Sequence, residues 1–209
     1  NKVVKEYYIN DYGNQIVNFT KSVYLRLREI KFNEKFTVSK DLYPGEYIVD
    51  IAKNILISNP DIDLDNITNS ENLIREKALE SSMSLITSDL HKLGIRHDNF
   101  VSEKEIVKKN LVTTTISALK NNNYIKEGYL DPPKGIDRNT WKKTKRLIFK
   151  STDFGDDADR ALQKNDGTWT YFANDIAYHA DKVSRGYDYL INVLGADHIG
   201  YIKRISSAV

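Results

Sequence analysis

Apolar residues in this chain recur at steps that change from helical to alternating and back, and the changes mark out its elements. Residues 3–9 contain Val, Tyr and Ile, which favour strands, and the Asn10-Asp11-Tyr12-Gly13 cluster that follows supplies turn and helix-start chemistry. Ile16, Phe19, Val23, Leu27 and Ile30 then repeat every three or four residues, which predicts a helix over 16–30. Tyr43-Pro44-Gly45 breaks the chain, and 47–57 resumes a helical pattern. Residues 59–69 are rich in Asp, Asn and Ser with little periodicity, and read as an exposed, mobile connection.

The second half follows the same logic. Leu73, Ala78, Met83, Ile86 and Leu90 predict a long amphipathic helix over 70–93, ended by Gly94 at the position after the cap. A further helix is expected over 106–120, then three asparagines and a short strand within 124–130. Residues 146–150 and 169–172 are β-prone runs on either side of an Asp166-Gly167 turn, which predicts a hairpin. A helix opening at Asn174 or Asp175 and running to about Gly186, followed by an apolar strand over 189–194, forms half of a parallel βαβ crossover. Ligands of open α/β sheets bind beyond the carboxyl ends of such strands, which here means Gly195 and its successors.

Composition narrows the class without naming a function. A length of 209 residues with 40% hydrophobic content suits one α/β domain, or one carrying an insertion. The net charge of +2 on a chain that is 29% charged gives no global electrostatic argument for nucleic acid, membrane or acidic partners. Cysteine is absent, which removes disulfides and thiolate metal sites. The longest apolar runs, such as 55–57 and 190–194, fall far short of the roughly 20 residues needed to cross a bilayer. The start, without methionine or a signal-peptide core, reads as clipped, and the end reads as cut inside a helix.

Two segments concentrate chemistry. In the first, Asp175 and His179 are four apart and share a helix face, with Tyr171 just ahead of them. A carboxylate and a phenol converging there suit a cationic or polyhydroxylated ligand. The bland alternative is an N-capping Asp beside a structural Tyr. In the second, Gly195 permits close backbone approach, Asp197 can accept from ribose hydroxyls, and His198 can donate or accept; the alternative is a turn with a capping Asp and a surface His. His91, His97, His179 and His198 form no paired metal spacing. Asp153, Asp156, Asp157 and Asp159 lack the ligand pattern of a calcium loop and read as solvated or salt-bridged. Lys142, Lys143, Lys145 and Arg146 beside Trp141 offer a phosphate contact or simply an exposed face. The common NTPase, dehydrogenase and hydrolase signatures do not occur.

Five strings in one order, EYYINDYGNQ (6–15), YPGEY (43–47), STDFGDDADR (151–160), DGTWTYFANDIAYH (166–179) and NVLGADH (192–198), resemble the bacterial-type arginyl-tRNA synthetase family. The resemblance implies the α/β, Rossmann-like parallel sheet of a class I synthetase catalytic domain with a largely helical insertion. It divides the chain into 1–58 and 146–209 as two parts of that domain and 59–145 as the insertion and connection. It also implies ATP-dependent activation of L-arginine and transfer to tRNA(Arg), with Mg²⁺ accompanying the ATP. Tyr171, Asp175 and His198 match the family's arginine pocket, while Gly195 and Asp197 match its adenosine site. Asn10, Asp11, Gly13 and Gln15, with His179, are expected to line the substrate cleft. No residue of this chain is assigned to catalysis or to a metal. The family's two ATP signatures, of the His-Ile-Gly-His and Lys-Met-Ser-Lys-Ser types, are expected before Asn1 and after Val209, so the chain alone is expected to be inactive. The parent is expected to be a cytoplasmic monomer, the alternative being a non-catalytic module that binds arginine or RNA.

Overall fold

The computed structural model describes residues 2–132, 137 and 143–209. The chain packs as two units, Asn1–Ser102 and Glu103–Val209. In the first, strand β1 (Glu6–Ile9) pairs in parallel with β2 (Asn99–Ser102), with Tyr8 opposite Val101. Parallel strands need a crossover, and helices α1 (Asn14–Phe32), α2 (Glu46–Ser58) and α3 (Ile67–Lys92) supply it. Their apolar stripes meet in one core: Phe19, Val23 and Leu27 from α1, Ile48, Ile51 and Ile55 from α2, and Ile74 and Ala78 from α3. Gly13, at φ 90°, turns the chain from β1 into α1, in the left-handed region that favours glycine. Gly94 closes α3 as expected, since its positive φ lets its own N–H and that of Ile95 reach the carbonyls of His91 and Leu90.

The 59–69 connection is not the exposed linker its composition predicts. Ile62 and Leu64 are buried in the helical core. The polar residues around them satisfy the backbone: Asp63 accepts from the Asp65 amide, and Asn66 caps α3 by accepting from the Thr68 amide. Tyr24 and Lys31 of α1 donate to the carbonyls of Leu64 and Ile62. A segment read as polar is thus an ordered bridge with two apolar anchors.

The second unit holds α4 (Glu103–Lys108), α5 (Leu111–Asn121), β3 (Ile125–Gly128), β4 (Arg146–Phe149), β5 (Arg160–Ala161), α6 (Tyr171–Ser184) and α7 (Ile202–Ser206). The single helix expected over 106–120 is two, because Asn110 adopts the left-handed conformation at φ 56° and ends the first. The expected hairpin also differs: β4 pairs antiparallel with β3 on one side and β5 on the other. Only a bridge between Gln163 and Trp169 spans the Asp166-Gly167 turn, and Tyr171 and Phe172 belong to α6. Helix α6 opens earlier than expected, because Thr170 rather than Asn174 or Asp175 caps it by accepting from the Ala173 amide.

Residues 189–194 form no strand. Tyr189, Ile191 and Val193 are 86–93% exposed, and the segment has no ladder partner among the described residues. An apolar run of this length fits a strand only when a neighbouring edge satisfies its backbone, which sequence alone cannot supply. Among the described residues no helix is long and apolar enough to cross a membrane.

Candidate functional site

Helix α6 sets the geometry of the second unit's polar cluster. Thr170 donates its hydroxyl to the Ala161 carbonyl (3.0 Å) and its amide to the Leu162 carbonyl, so the end of β5 fixes where α6 begins. Phe172, Ala173, Ile176 and Ala177 face the core, and this orients the opposite stripe. Asp175 sits in the second turn, inside the helix, so the capping alternative for it is gone. Its carboxylate accepts a short hydrogen bond from the Tyr201 hydroxyl. Burial raises the Asp175 carboxyl above the usual range, and the bond from Tyr201 and nearby cationic groups, including Lys182, oppose that rise. Burial and the adjacent carboxylate together push the Tyr201 phenol well up, so it remains a donor.

His179, one turn further along, is buried. Its Nδ1 lies 2.8 Å from the Asp175 carbonyl, which can only accept, so Nδ1 carries the proton and Nε2 is left as an acceptor. Asn192 donates its amide to that Nε2 at 3.0 Å, and its Oδ1 accepts from Lys182 at 2.7 Å. Burial holds the imidazole below its ordinary pKa and therefore neutral.

The 3₁₀ turn Ala196–Tyr201 faces this stripe. Gly195 precedes it, and a β-carbon added there would meet Asp197 Oδ1 at 2.5 Å, so glycine leaves room for that carboxylate. Asp197 is exposed, with its carboxylate 3.7 Å from His198 Nε2, and the His198 ring lies edge-on to Tyr201. Tyr201 thereby brings His198 within electrostatic reach of Asp175, while Asp197 lies beside His198 in an exposed position. Tyr171 begins the same helix but is 53% exposed, with the Lys164 ammonium over its ring. The phenol bonded to Asp175 is Tyr201, three residues beyond the NVLGADH string and given no role by it.

The remaining expected residues lie in the first unit, beyond the carboxyl end of β1. Asn10 donates to Gln15 (3.0 Å), and Ser102 donates to Asp11 (2.6 Å). Asn10 and Gln15 line a cavity of about 210 Å³ with Tyr7, Tyr43, Tyr47 and Met83. Burial raises the Tyr47 phenol's pKa. The cavity thus offers two amides on a largely apolar, aromatic wall.

Three carboxylates of the acidic loop are ion-paired, Asp156 and Asp157 with Arg160 and Asp159 with Lys126. Asp156 accepts from Nε and Nη2 of Arg160 at 2.7 Å and from the hydroxyl of Ser151, while Asp159 accepts from Lys126 and Thr152. Among the described residues no group of acidic and histidine side chains is arranged to hold a metal. Of the basic run, Lys145 pairs with Glu127 at 3.0 Å and Arg146 bonds Asn165; Trp141 and Lys142 lie outside the described residues. Arg160 holds the buried Asp156 carboxyl well below its ordinary value. The pair's stability is therefore full above the unfolded carboxyl's pKa and is lost as pH falls through the native one. Asp156→Asn is expected to cost roughly 2 kcal/mol at pH 7. It is also expected to flatten the loss of stability below about pH 4, both read from urea unfolding at several pH values.

No protein-family model matches the chain. It is 55% identical over 208 residues to an arginine–tRNA ligase of Pelagibacter ubique and 49% identical over 210 residues to one of Ehrlichia chaffeensis. These alignments take in 99–100% of this chain and 36% of each relative. Among solved structures it resembles an arginyl-tRNA synthetase from Campylobacter jejuni, with TM-score 0.80 and 33% identity over 97% of this chain and 41% of that one. The Plasmodium falciparum enzyme shares the fold at TM-score 0.59 and 16% identity, over 97% of this chain and 32% of its own. The class is that of the aminoacyl-tRNA synthetases. Within it, the chain belongs to the arginyl-tRNA synthetase family.

Proposed function

We propose that the protein containing this chain activates L-arginine with ATP and transfers it to tRNA(Arg), and that this chain supplies the arginine pocket and part of the adenosine pocket. The observation that carries the reading is Asp175, a half-buried carboxylate on the stripe of α6 away from its core-facing side, which accepts from the Tyr201 hydroxyl. A guanidinium offers such a carboxylate two charge-assisted hydrogen bonds, each roughly twice the strength of a neutral one. Tyr171 and His198 would flank the ligand, and Gly195 with Asp197 would take the ribose hydroxyls. Asn10, Asp11, Gly13 and Gln15 would line a substrate cleft at the carboxyl end of β1, where Asn10 and Gln15 already border a cavity. Mg²⁺ would accompany ATP rather than reside in this chain.

In this reading 1–58 and 146–209 belong to a Rossmann-like catalytic domain, 59–145 is its insertion, and the parent is a cytoplasmic monomer. The parallel pairing of β1 with β2 agrees with an α/β sheet. The test is ATP–pyrophosphate exchange by the full-length protein with tRNA present. Exchange is expected with L-arginine and at least 10²-fold less with L-lysine, because a point-charge ammonium cannot reproduce the guanidinium fork. Arginine binding without any exchange would instead identify a non-catalytic binding module.

A further inference from the structure

The loop that carries Gly195, Asp197 and His198 is attached at both ends to one helix. Beyond α6 the chain turns at Gly186, φ 73°, and runs without regular structure to Gly195, its side chains largely in solvent. Asn192 fixes its path by bonding His179 Nε2 and Lys182 Nζ, both on α6. Nine residues later Tyr201 returns to α6 and bonds Asp175, one turn before His179. The two anchors enclose residues 193–200.

The geometry points to His179 as a positioning residue. Its side chain, buried and held by the Asp175 carbonyl, presents a fixed acceptor to Asn192, and through Asn192 it keeps Asp197 and His198 in register with Asp175 before any ligand arrives. This gives His179 a different part from that of a cleft-lining group. The ring's two nitrogens are both engaged, one with the backbone and one with Asn192, and neither is left to meet a substrate. Tyr178 and Lys182 of α6 and Asn192 from the loop complete its surroundings. The inference rests on the proposed arginine and adenosine pocket for its functional consequence, but its structural part stands separately.

A loop held at one end only spends less time in the competent arrangement, and apparent affinity falls by the fraction lost. In the full-length protein, Asn192→Ala removes the anchor from an exposed position. It is expected to raise the KM for arginine and for ATP about ten-fold each, with kcat at saturation within two-fold, if the competent population falls about ten-fold. His179→Ala, which leaves the bond from Lys182 to Asn192, should raise both KM values in the same direction but by less, and His179→Gln, whose amide oxygen restores the acceptor, should recover most of it. Combining His179→Ala with Asn192→Ala should add little to Asn192→Ala alone, since losing Asn192 already removes the bond to His179 along with that to Lys182. Amide hydrogen exchange over residues 193–201 should quicken in both alanine variants.

Unchanged KM values for Asn192→Ala together with unchanged exchange over 193–201 would overturn the inference, leaving His179 a core residue only. Absence of arginine-dependent activity in the wild type would sink the proposed function, and hydrogen exchange alone would then decide the positioning role.

Discussion

Replacing Asp175 with asparagine in the full-length protein is expected to cut arginine-dependent ATP–pyrophosphate exchange by at least 10²-fold while leaving the fold in place. The substitution keeps shape and leaves the side-chain oxygen that accepts from Tyr201, so the helix and its neighbours have little reason to move. What goes is the charge. Transferring a guanidinium out of water into a partly buried site without its counter-charge costs about 2–5 kcal/mol, and about 3 kcal/mol corresponds to a 10²-fold loss in rate. Steady-state kinetics should place the loss in kcat/KM for arginine far more than in kcat/KM for ATP. Thermal unfolding run in parallel should shift by no more than a few degrees. Wild-type exchange in a well-folded Asp175→Asn protein would remove Asp175 from the proposed arginine pocket.

The largest loss of stability is expected from Phe149→Ala. Phe149 is 2% exposed, stacks on Phe154 at 5.8 Å and tilts against Phe172 at 6.1 Å, and Tyr124 closes the cluster edge-on to Phe154. Truncation removes a ring from a packed interior and leaves a void that the two neighbouring rings cannot collapse to fill. The expected cost is about 4 kcal/mol, measured as a drop in the denaturant midpoint of the second unit, with Phe149→Leu losing roughly half as much. The consequence reaches the site, because Phe172 lies in the first turn of α6. Loosening its contact with β4 should weaken arginine use as well as stability, even though Phe149 bears no polar atom that a ligand could meet. Equal stability of Phe149→Ala and wild type would contradict the packing described for β4 and α6.

How much of this was legible in advance differs between elements for physical reasons. Helices α1, α2 and α3 were readable because their apolar residues recur at helical steps over many turns, and Pro44, Gly45 and Gly94 punctuate them. Strand β1 was readable from its residues, but its parallel partner β2, about ninety positions away, was not. The hairpin around Asp166-Gly167 failed because the turn signal was genuine while the flanking run had a stronger use: Thr170 caps a helix that packs on α5 and meets β4 through Phe172. Ile62 and Leu64 were hidden by their polar neighbours, and the strand expected over 189–194 depends on a partner edge that no local pattern contains.

The candidate site divides in the same way. Asp175, His179, Asp197 and His198 were legible as polar side chains at helical or turn spacing, and family resemblance gave them roles. The bond from Tyr201 to Asp175, and the chain from His179 through Asn192 to Lys182, were not. Sequence by itself determined which residues could carry charge and hydrogen bonds, and where the helices of the first unit lie. That information is local, held in residue chemistry and in spacing along one element. Only the tertiary structure decided which phenol meets Asp175 and what His179 holds, because those contacts join residues 13 and 26 positions apart through a loop with no period of its own.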